Sequence, residues 1–521
     1  QQQQQQQQQE FIMVYKKLGF LLSAIFSACN LSESTNAQTI ERDISTKVIK
    51  GYKFFDSETG EHFIVKGIDY YPRTNSGELD DHSLDFYNEK YRHIWERDII
   101  EFKKLGINAI RLYAVEPSED HETFMCALNE AGIYVMVGLG SACKICAVTR
   151  DQAPDCYPKE MKHRSEDIIR EFAKYSNTLA FSAGNEVNYF VPLGERAPWN
   201  APCLKKFVRD MRAYIDGCSE TMRHIPVGII SADLDRHDNA AYYNCLTDPN
   251  DELEHIEWYG INSYVMCDGK VETYDQAYGF DILVQTFRLY NYSIPVMITE
   301  FGCLSQTFPT VDGYPAQRYF HQAEWFGSVP AVRDVFSGGF VFEYSIEKTL
   351  AAVPFPFKEF GWQNFGVGYF SPVHCDDIDI PCEYVEFPCF DNLRQAYANA
   401  VLPPSEPVLT FDTFEIDPYR TKRSKCPPDF AVIRDYIWEA DTVESRSCPS
   451  TNDMHFTCHP AARSAAMSKT KSVIYSSKIY AVLFIGGFVI AILVVLELKN
   501  RSPSPKPTNN VITKDNDIPT S

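Results

Sequence analysis

Two apolar runs in this chain each end in a glutamate, and that arrangement narrows the folds open to it. The first is Leu179-Ala180-Phe181-Ser182-Ala183-Gly184-Asn185-Glu186 and the second is Pro295-Val296-Met297-Ile298-Thr299-Glu300-Phe301-Gly302. A short apolar run without polar alternation reads as a strand buried on both faces, as in a parallel sheet. Each strand then delivers a carboxyl group to its C-terminal end. Two such carboxyls are what cleavage of a glycosidic bond requires, one as acid/base and one as nucleophile. In a (β/α)8 barrel the strand ends are where chemistry sits.

The rest of the chain has the matching rhythm. Strands are predicted over 63–70, 107–113, 133–139, 179–186, 226–233, 258–264, 295–302 and 338–344. Helices are predicted over 88–105, stopped by Gly106, and over 118–132 with Ser118 as cap. Further helices are predicted over 165–175 with Ser165 as cap, 201–217, 274–289 and 316–326. Eight strands separated by helices, in roughly 250–300 residues, suit an α/β fold of the (β/α)8 TIM barrel type, with a C-terminal extension and a single transmembrane helix. A doubly wound sheet would alternate in the same way. No Gly-rich phosphate loop follows the first strand, which argues against nucleotide binding.

Charge and cysteine content narrow the function. A net charge of −21 disfavours nucleic acid, and 16 cysteines point to an oxidising compartment. The 30 Tyr and 35 Phe suit stacking on sugar faces, or simply an aromatic core. Residues 1–12 carry a poly-Gln leader. Residues 13–37 read as a secretory signal peptide: Lys16 and Lys17, an apolar run, then small residues ending at Ala37. Cleavage there would leave fifteen cysteines, so at least one would be unpaired or intermolecular. The barrel is assigned to 45–400 and a Cys-containing extension and stalk to 401–478. A transmembrane helix follows at 479–496 and a cytosolic tail at 497–521. The polar tail after the apolar run favours a retained helix over a GPI signal, which would end in its hydrophobic segment.

Several ordered segments resemble glycoside hydrolase family 72, the β-1,3-glucanosyltransferases of fungal-type cell walls. They are Val65-Lys66-Gly67-Ile68-Asp69-Tyr70, Lys103-Lys104-Leu105-Gly106-Ile107-Asn108, Ala183-Gly184-Asn185-Glu186-Val187 and Ile225-Pro226-Val227-Gly228. Tyr259-Gly260-Ile261-Asn262-Ser263-Tyr264, Tyr292-Ser293-Ile294-Pro295-Val296, Glu300-Phe301-Gly302-Cys303 and Ser337-Gly338-Gly339-Phe340-Val341-Phe342-Glu343-Tyr344 complete the set. The resemblance covers about residues 50 to 400. It implies Glu186 as acid/base, Glu300 as nucleophile and Asn185 on the sugar 2-hydroxyl. Tyr113, Tyr264 and Tyr344 would line the cleft. Arg111 would orient a catalytic carboxylate, and Asp233 joins the substrate-binding set. The resemblance also implies a Cys267–Cys303 disulfide and a bond from Cys245 to Cys426 or Cys448.

Two departures stand out. Trp95 and Phe124 occupy the places of a family disulfide, with Cys126 out of register. Cys143-Lys144-Ile145-Cys146 is a CxxC motif with no second ligand pair, so a local disulfide fits better than zinc; no metal or other cofactor is implied. Asn291-Tyr292-Ser293 is a glycosylation sequon.

The implied function is a retaining 1,3-β-glucanosyltransferase. It would work on β-1,3-glucan donor and acceptor chains at the cell surface, as a single-pass type I membrane protein with no nucleotide sugar. Two alternatives stay open: a β-glucan hydrolase on the same barrel, and a non-catalytic glycan-binding surface protein.

Overall fold

The computed structural model describes residues 43–458, apart from 80–82, 144, 192–198 and 421–425. The leader, the signal segment, the apolar run 479–496 and the tail lie outside the described residues. Among those described, no helix is long and apolar enough to cross a membrane.

Eight parallel strands close into a barrel in chain order. They are β1 (Val65–Tyr70), β2 (Ala109–Leu112), β3 (Tyr134–Gly138), β4 (Thr178–Asn185), β5 (Val227–Ala232), β6 (Tyr259–Asn262), β7 (Val296–Phe301) and β8 (Phe336–Val341). Around them run α1 (Arg92–Leu105), α2 (Glu122–Glu130), α3 (Lys159–Ala173), α4 (Ala201–Gly217), α5 (Arg236–Asn244), α6 (Tyr278–Leu289), α7 (His321–Ser328) and α8 (Pro330–Val335). The lower half of the barrel is filled by Met136, Ala180, Ile230, Met297 and Phe340, all buried. Gly67 is needed there, because a Cβ at that position would meet the Phe340 ring at 2.3 Å. A three-stranded antiparallel sheet (Lys47–Lys50, Lys53–Asp56, His62–Phe63) closes the N-terminal end and adds Phe54 to this core. Packing below therefore leaves the upper, C-terminal ends of the strands free for polar side chains.

Several boundaries differ from the sequence expectation, each for a local reason. The first expected strand, 63–70, divides: His62–Phe63 pairs with the N-terminal sheet and Val65–Tyr70 enters the barrel. Ser118 does not cap α2. Its hydroxyl is held by Glu116 in a turn, and the helix starts after buried His121. Ser165 lies inside α3, which starts directly after Pro158, a residue whose fixed φ suits a helix entry. The helix expected from 316 begins at His321, because Ala316 and Phe320 both adopt positive φ. Helix α5 follows β5, where the sequence pattern predicts none. Gly106 ends α1 in the left-handed conformation that favours glycine.

Seven disulfides occur among the described residues. Cys126–Cys458, Cys218–Cys448 and Cys245–Cys426 staple the chain after residue 401 to the outer helices. Cys143–Cys146, Cys156–Cys203, Cys267–Cys303 and Cys375–Cys382 are more local. Cys389 is buried and unpaired, in Pro388–Asn399 (α9). Trp95 and Phe124, the two aromatics that depart from the family pattern, meet edge to face with ring centroids 5.6 Å apart.

Candidate active site

The site grows from the upper ends of β1, β2, β4, β6 and β7. Alternation along β7 turns Glu300 inwards and leaves it buried. Its Oε1 accepts from Arg111 Nη1 and from the Tyr113 hydroxyl, both at 3.0 Å. Its Oε2 accepts from the Tyr264 hydroxyl at 2.8 Å. Burial holds both phenols well above their ordinary range, so they stay protonated and keep donating. Tyr264 is steadied by Phe365, centroids 5.5 Å apart, and by the Cys267–Cys303 disulfide nearby in both chain segments.

Arg111 is the hub. It is buried, and its Nη1 also reaches Asp69 Oδ1 at 3.1 Å, while Nη2 donates to Asn185 Oδ1 at 2.9 Å. Burial works against its charge, but Tyr113, Asp69 and Glu300 outweigh it and the pKa is raised. Asp69 behaves oppositely. Burial pushes its carboxyl well above the usual range, with Arg111 opposing and the Glu300 charge adding.

Glu186 follows the end of β4 with φ of 52°, a left-handed conformation unusual for a side chain of this size. Its N–H donates to the Ile230 carbonyl at 2.9 Å, which ties the turn to β5. Its Oε1 accepts from Asn262 Nδ2 at 3.0 Å, and the same amide nitrogen reaches Asn185 Oδ1 at 3.1 Å. Thr299 fixes the Asn262 amide by donating to its carbonyl oxygen at 2.8 Å. Burial raises the Glu186 pKa, the Glu300 charge raises it further, and Asn262 opposes both. One carboxyl is thus wired to a guanidinium and two phenols. The other has a single amide donor and a raised affinity for its proton.

A cavity of about 460 Å³ opens beside this cluster, lined among others by Asp69, Arg111, Tyr113, Asn185 and Glu343. The loop after β3, closed on itself by Cys143–Cys146, contributes Ser141, Ala142, Ala147 and Val148 to the cavity lining.

The structure therefore brings together Glu186, Glu300, Asn185, Tyr113, Tyr264 and Arg111. Two expected residues fall elsewhere. Tyr344 is fully buried on the outer side of the barrel, where its hydroxyl donates to Asp98 Oδ1 of α1 at 3.0 Å and its ring stacks on Tyr384 at 4.4 Å. Successive residues after a strand point to opposite sides, and here Glu343 takes the inward place. Asp233 is held by Arg236 at 2.7 Å and by the Ser263 hydroxyl at 2.6 Å, and it does not line the cavity. Asn291 is exposed beside the end of α6, so its sequon is accessible. Asp69, Asn262 and Glu343 are the members that sequence reasoning passed over. Each is a polar residue at or just beyond the upper end of an apolar strand, the signal that marked Glu186 and Glu300.

Comparison with known proteins agrees with this geometry. The glycoside hydrolase family 72 profile, described as glucanosyltransferase, matches residues 36–352, more than half of the chain. The 1,3-beta-glucanosyltransferase PGA4 of Candida albicans is 34% identical over 306 residues, covering 58% of this chain and 60% of the relative. GAS5 of Saccharomyces cerevisiae, another 1,3-beta-glucanosyltransferase, is 34% identical over 331 residues, covering 63% and 60%. The chain thus spans about 60% of the length of these curated relatives. Among solved structures, Saccharomyces cerevisiae Gas2p in complex with laminaripentaose superposes with a TM-score of 0.55 at 26% identity, covering 78% of each chain. By sequence and by fold, this chain belongs to glycoside hydrolase family 72, the glucanosyltransferases.

Proposed function

We propose that the chain is a retaining 1,3-β-glucanosyltransferase. Glu300 acts as nucleophile and Glu186 as acid/base. The observation that carries the assignment is the asymmetry between the two carboxyls: three donors converge on Glu300, and one amide serves Glu186. A nucleophile must keep its charge and an acid must keep its proton, and these surroundings separate the two tasks.

In the first step a Glu300 carboxylate oxygen attacks C1 of the donor sugar. The glycosidic C1–O bond breaks, and Glu186 gives its proton to the departing oxygen. The product is a glycosyl ester on Glu300. In the second step a hydroxyl of another glucan attacks C1. Glu186 takes the hydroxyl proton, the ester bond breaks, and Glu300 is restored. Asn185, oriented by Arg111 and Asn262, serves the 2-hydroxyl of the same sugar. Water in place of the second glucan would make the outcome hydrolysis.

The names of the relatives and the laminari-oligosaccharides held by Gas2p support a β-1,3-glucan donor and acceptor. The disulfide content and the signal-like segment support a place outside the cytosol, in cell-wall remodelling. The apolar run 479–496 would tether the barrel to the plasma membrane as a type I protein, and Asn291 would carry glycan.

The test incubates the full chain with a reduced β-1,3-gluco-oligosaccharide and resolves products by mass, beside Glu186→Gln and Glu300→Gln. Products longer than the donor, lost in both variants, are expected. Shorter products alone would make the protein a hydrolase, and an unchanged substrate with retained binding would make it a glycan-binding protein.

A further inference from the structure

Glu343 is a cavity residue without a partner. It follows the end of β8, is 6% exposed, and lines the cavity beside Asp69 and Arg111. Its backbone is fixed on both sides: the N–H donates to the Phe365 carbonyl at 3.1 Å, and its own carbonyl accepts from Val367 at 2.9 Å. Its carboxyl group makes no hydrogen bond or ion pair among the described residues. The residue lines the cavity, where a ligand would supply the missing partner.

The cations nearby are already committed. Arg111 serves Glu300, Asp69 and Asn185. Arg318 is surrounded by the carbonyls of Gly302, Phe342, Phe365 and Gly366. Arg73 pairs with Glu347 at 2.8 Å. The other charged neighbours of Glu343 are acids: Glu347 on the following loop, Asp69 on β1 and Glu300 on β7. Burial pushes the Glu343 carboxyl well above the usual range, those three acids push it further, and Arg318 opposes.

We propose that Glu343 is a substrate-binding residue: its carboxyl group hydrogen-bonds a hydroxyl of the glucan chain held in the cavity. This deepens the transferase reading and rests on it. A neutral acid offers a donor and an acceptor to a sugar hydroxyl without adding negative charge next to Glu300. Two backbone hydrogen bonds fix where the residue sits at the cavity wall.

The test compares wild type, Glu343→Gln and Glu343→Met in the full chain, with reduced β-1,3-gluco-oligosaccharide as substrate, from acid to alkaline pH. Gln keeps a neutral donor at every pH, and Met keeps only the bulk. We expect Gln to retain kcat/KM within about threefold at acid pH. Its ratio to wild type should rise as pH rises and the wild-type acid ionises; taking the ratio cancels the titration of Glu186. Met should lose about tenfold, the size of one hydrogen bond to substrate. Oligosaccharide affinity, measured by calorimetry in a Glu186→Gln background, should fall by a similar factor in the Met variant. A Met variant equal to wild type would reduce Glu343 to packing. A Gln variant as impaired as Met at acid pH would mean that a carboxylate is required, and would overturn the proposal. If Met does not fold, the Gln-to-wild-type ratio decides alone, and a ratio independent of pH overturns it. Wild type that leaves the oligosaccharide unchanged would instead overturn the transferase reading, before any variant is compared.

Discussion

Arg111 Nη1 lies 3.0 Å from Glu300 Oε1, a contact that spans the barrel from β2 to β7. These strands are not neighbours, since β8 and β1 stand between them. The guanidinium fixes where the Glu300 charge sits, and it fixes Asn185 through its other nitrogen. A planar group with several donors in a fixed fork can do this, and an ammonium cannot.

Arg111→Lys should therefore fold and fail. Lysine cannot satisfy Glu300, Asp69 and Asn185 together. We expect kcat/KM to fall by about 100-fold or more, as misplacement of reacting groups by ~1 Å does elsewhere. The check is steady-state transfer, with circular dichroism confirming the fold. Activity within about threefold of wild type would show that the ion pair only fills space.

Glu186 should make the protein less stable at neutral pH than it need be. Its folded pKa is raised by burial and by Glu300, so the folded state holds the proton more tightly than the unfolded chain. That contribution is present below the unfolded pKa of about 4.3 and is lost as pH rises towards the folded value. Glu186→Gln removes the burden. The melting temperature of the variant should exceed that of wild type at pH 7, with the gap closing near pH 4. A constant gap across that range would contradict the assignment.

His121 titrates in the other direction. Its Nε2 lies 2.8 Å from Asp85 Oδ2 and its Nδ1 3.5 Å from Glu171 Oε1, in a fully buried place. Burial works against its charge, but the two carboxylates outweigh it and raise the pKa to about 9. The stabilisation is complete below the unfolded value of about 6.5 and fades as pH rises through the folded one. Wild-type stability should decline between those limits, and His121→Gln should flatten the decline. The variant removes the charge-assisted contact to each carboxylate, while Asp85 keeps the Tyr87 and Glu116 N–H groups and Glu171 keeps Lys174 and the Tyr175 hydroxyl, so a loss of about 1.5–3 kcal/mol is expected near neutral pH by chemical denaturation.

The aromatic pair that stands in for a disulfide is open to a direct test. Trp95 is 1% exposed and Phe124 is fully buried. Trp95→Ala should cost about 3–5 kcal/mol, the range for deleting a large buried ring. Non-reducing peptide mapping should find Cys126 joined to Cys458, Cys245 to Cys426 and Cys218 to Cys448. A Cys245–Cys448 peptide would overturn the last two pairings.

The barrel and its two glutamates were legible because they depend on local patterns. Apolar runs of strand length, helical spacing between them and a polar residue at each strand end are written along the chain. Helix starts were less legible, because Ser118 and Ser165 have the right chemistry for caps and lost to a turn and to Pro158. Residues at strand ends carry a parity that sequence leaves open once regular pairing stops. The family resemblance implies a cleft place for Tyr344, whereas it faces α1 and Asp98 and Glu343 takes the inward side.

The sequence by itself determined the alternation of strands and helices, the family and the two carboxyls, since each rests on residues close together in the chain. Only the tertiary structure decided which groups surround those carboxyls. Arg111 meets Glu300 across 189 positions of chain, and Cys126 meets Cys458 across 332. Such contacts are fixed by closure of the barrel and by burial, which set both the hydrogen bonds and the proton affinities, and no local pattern encodes them.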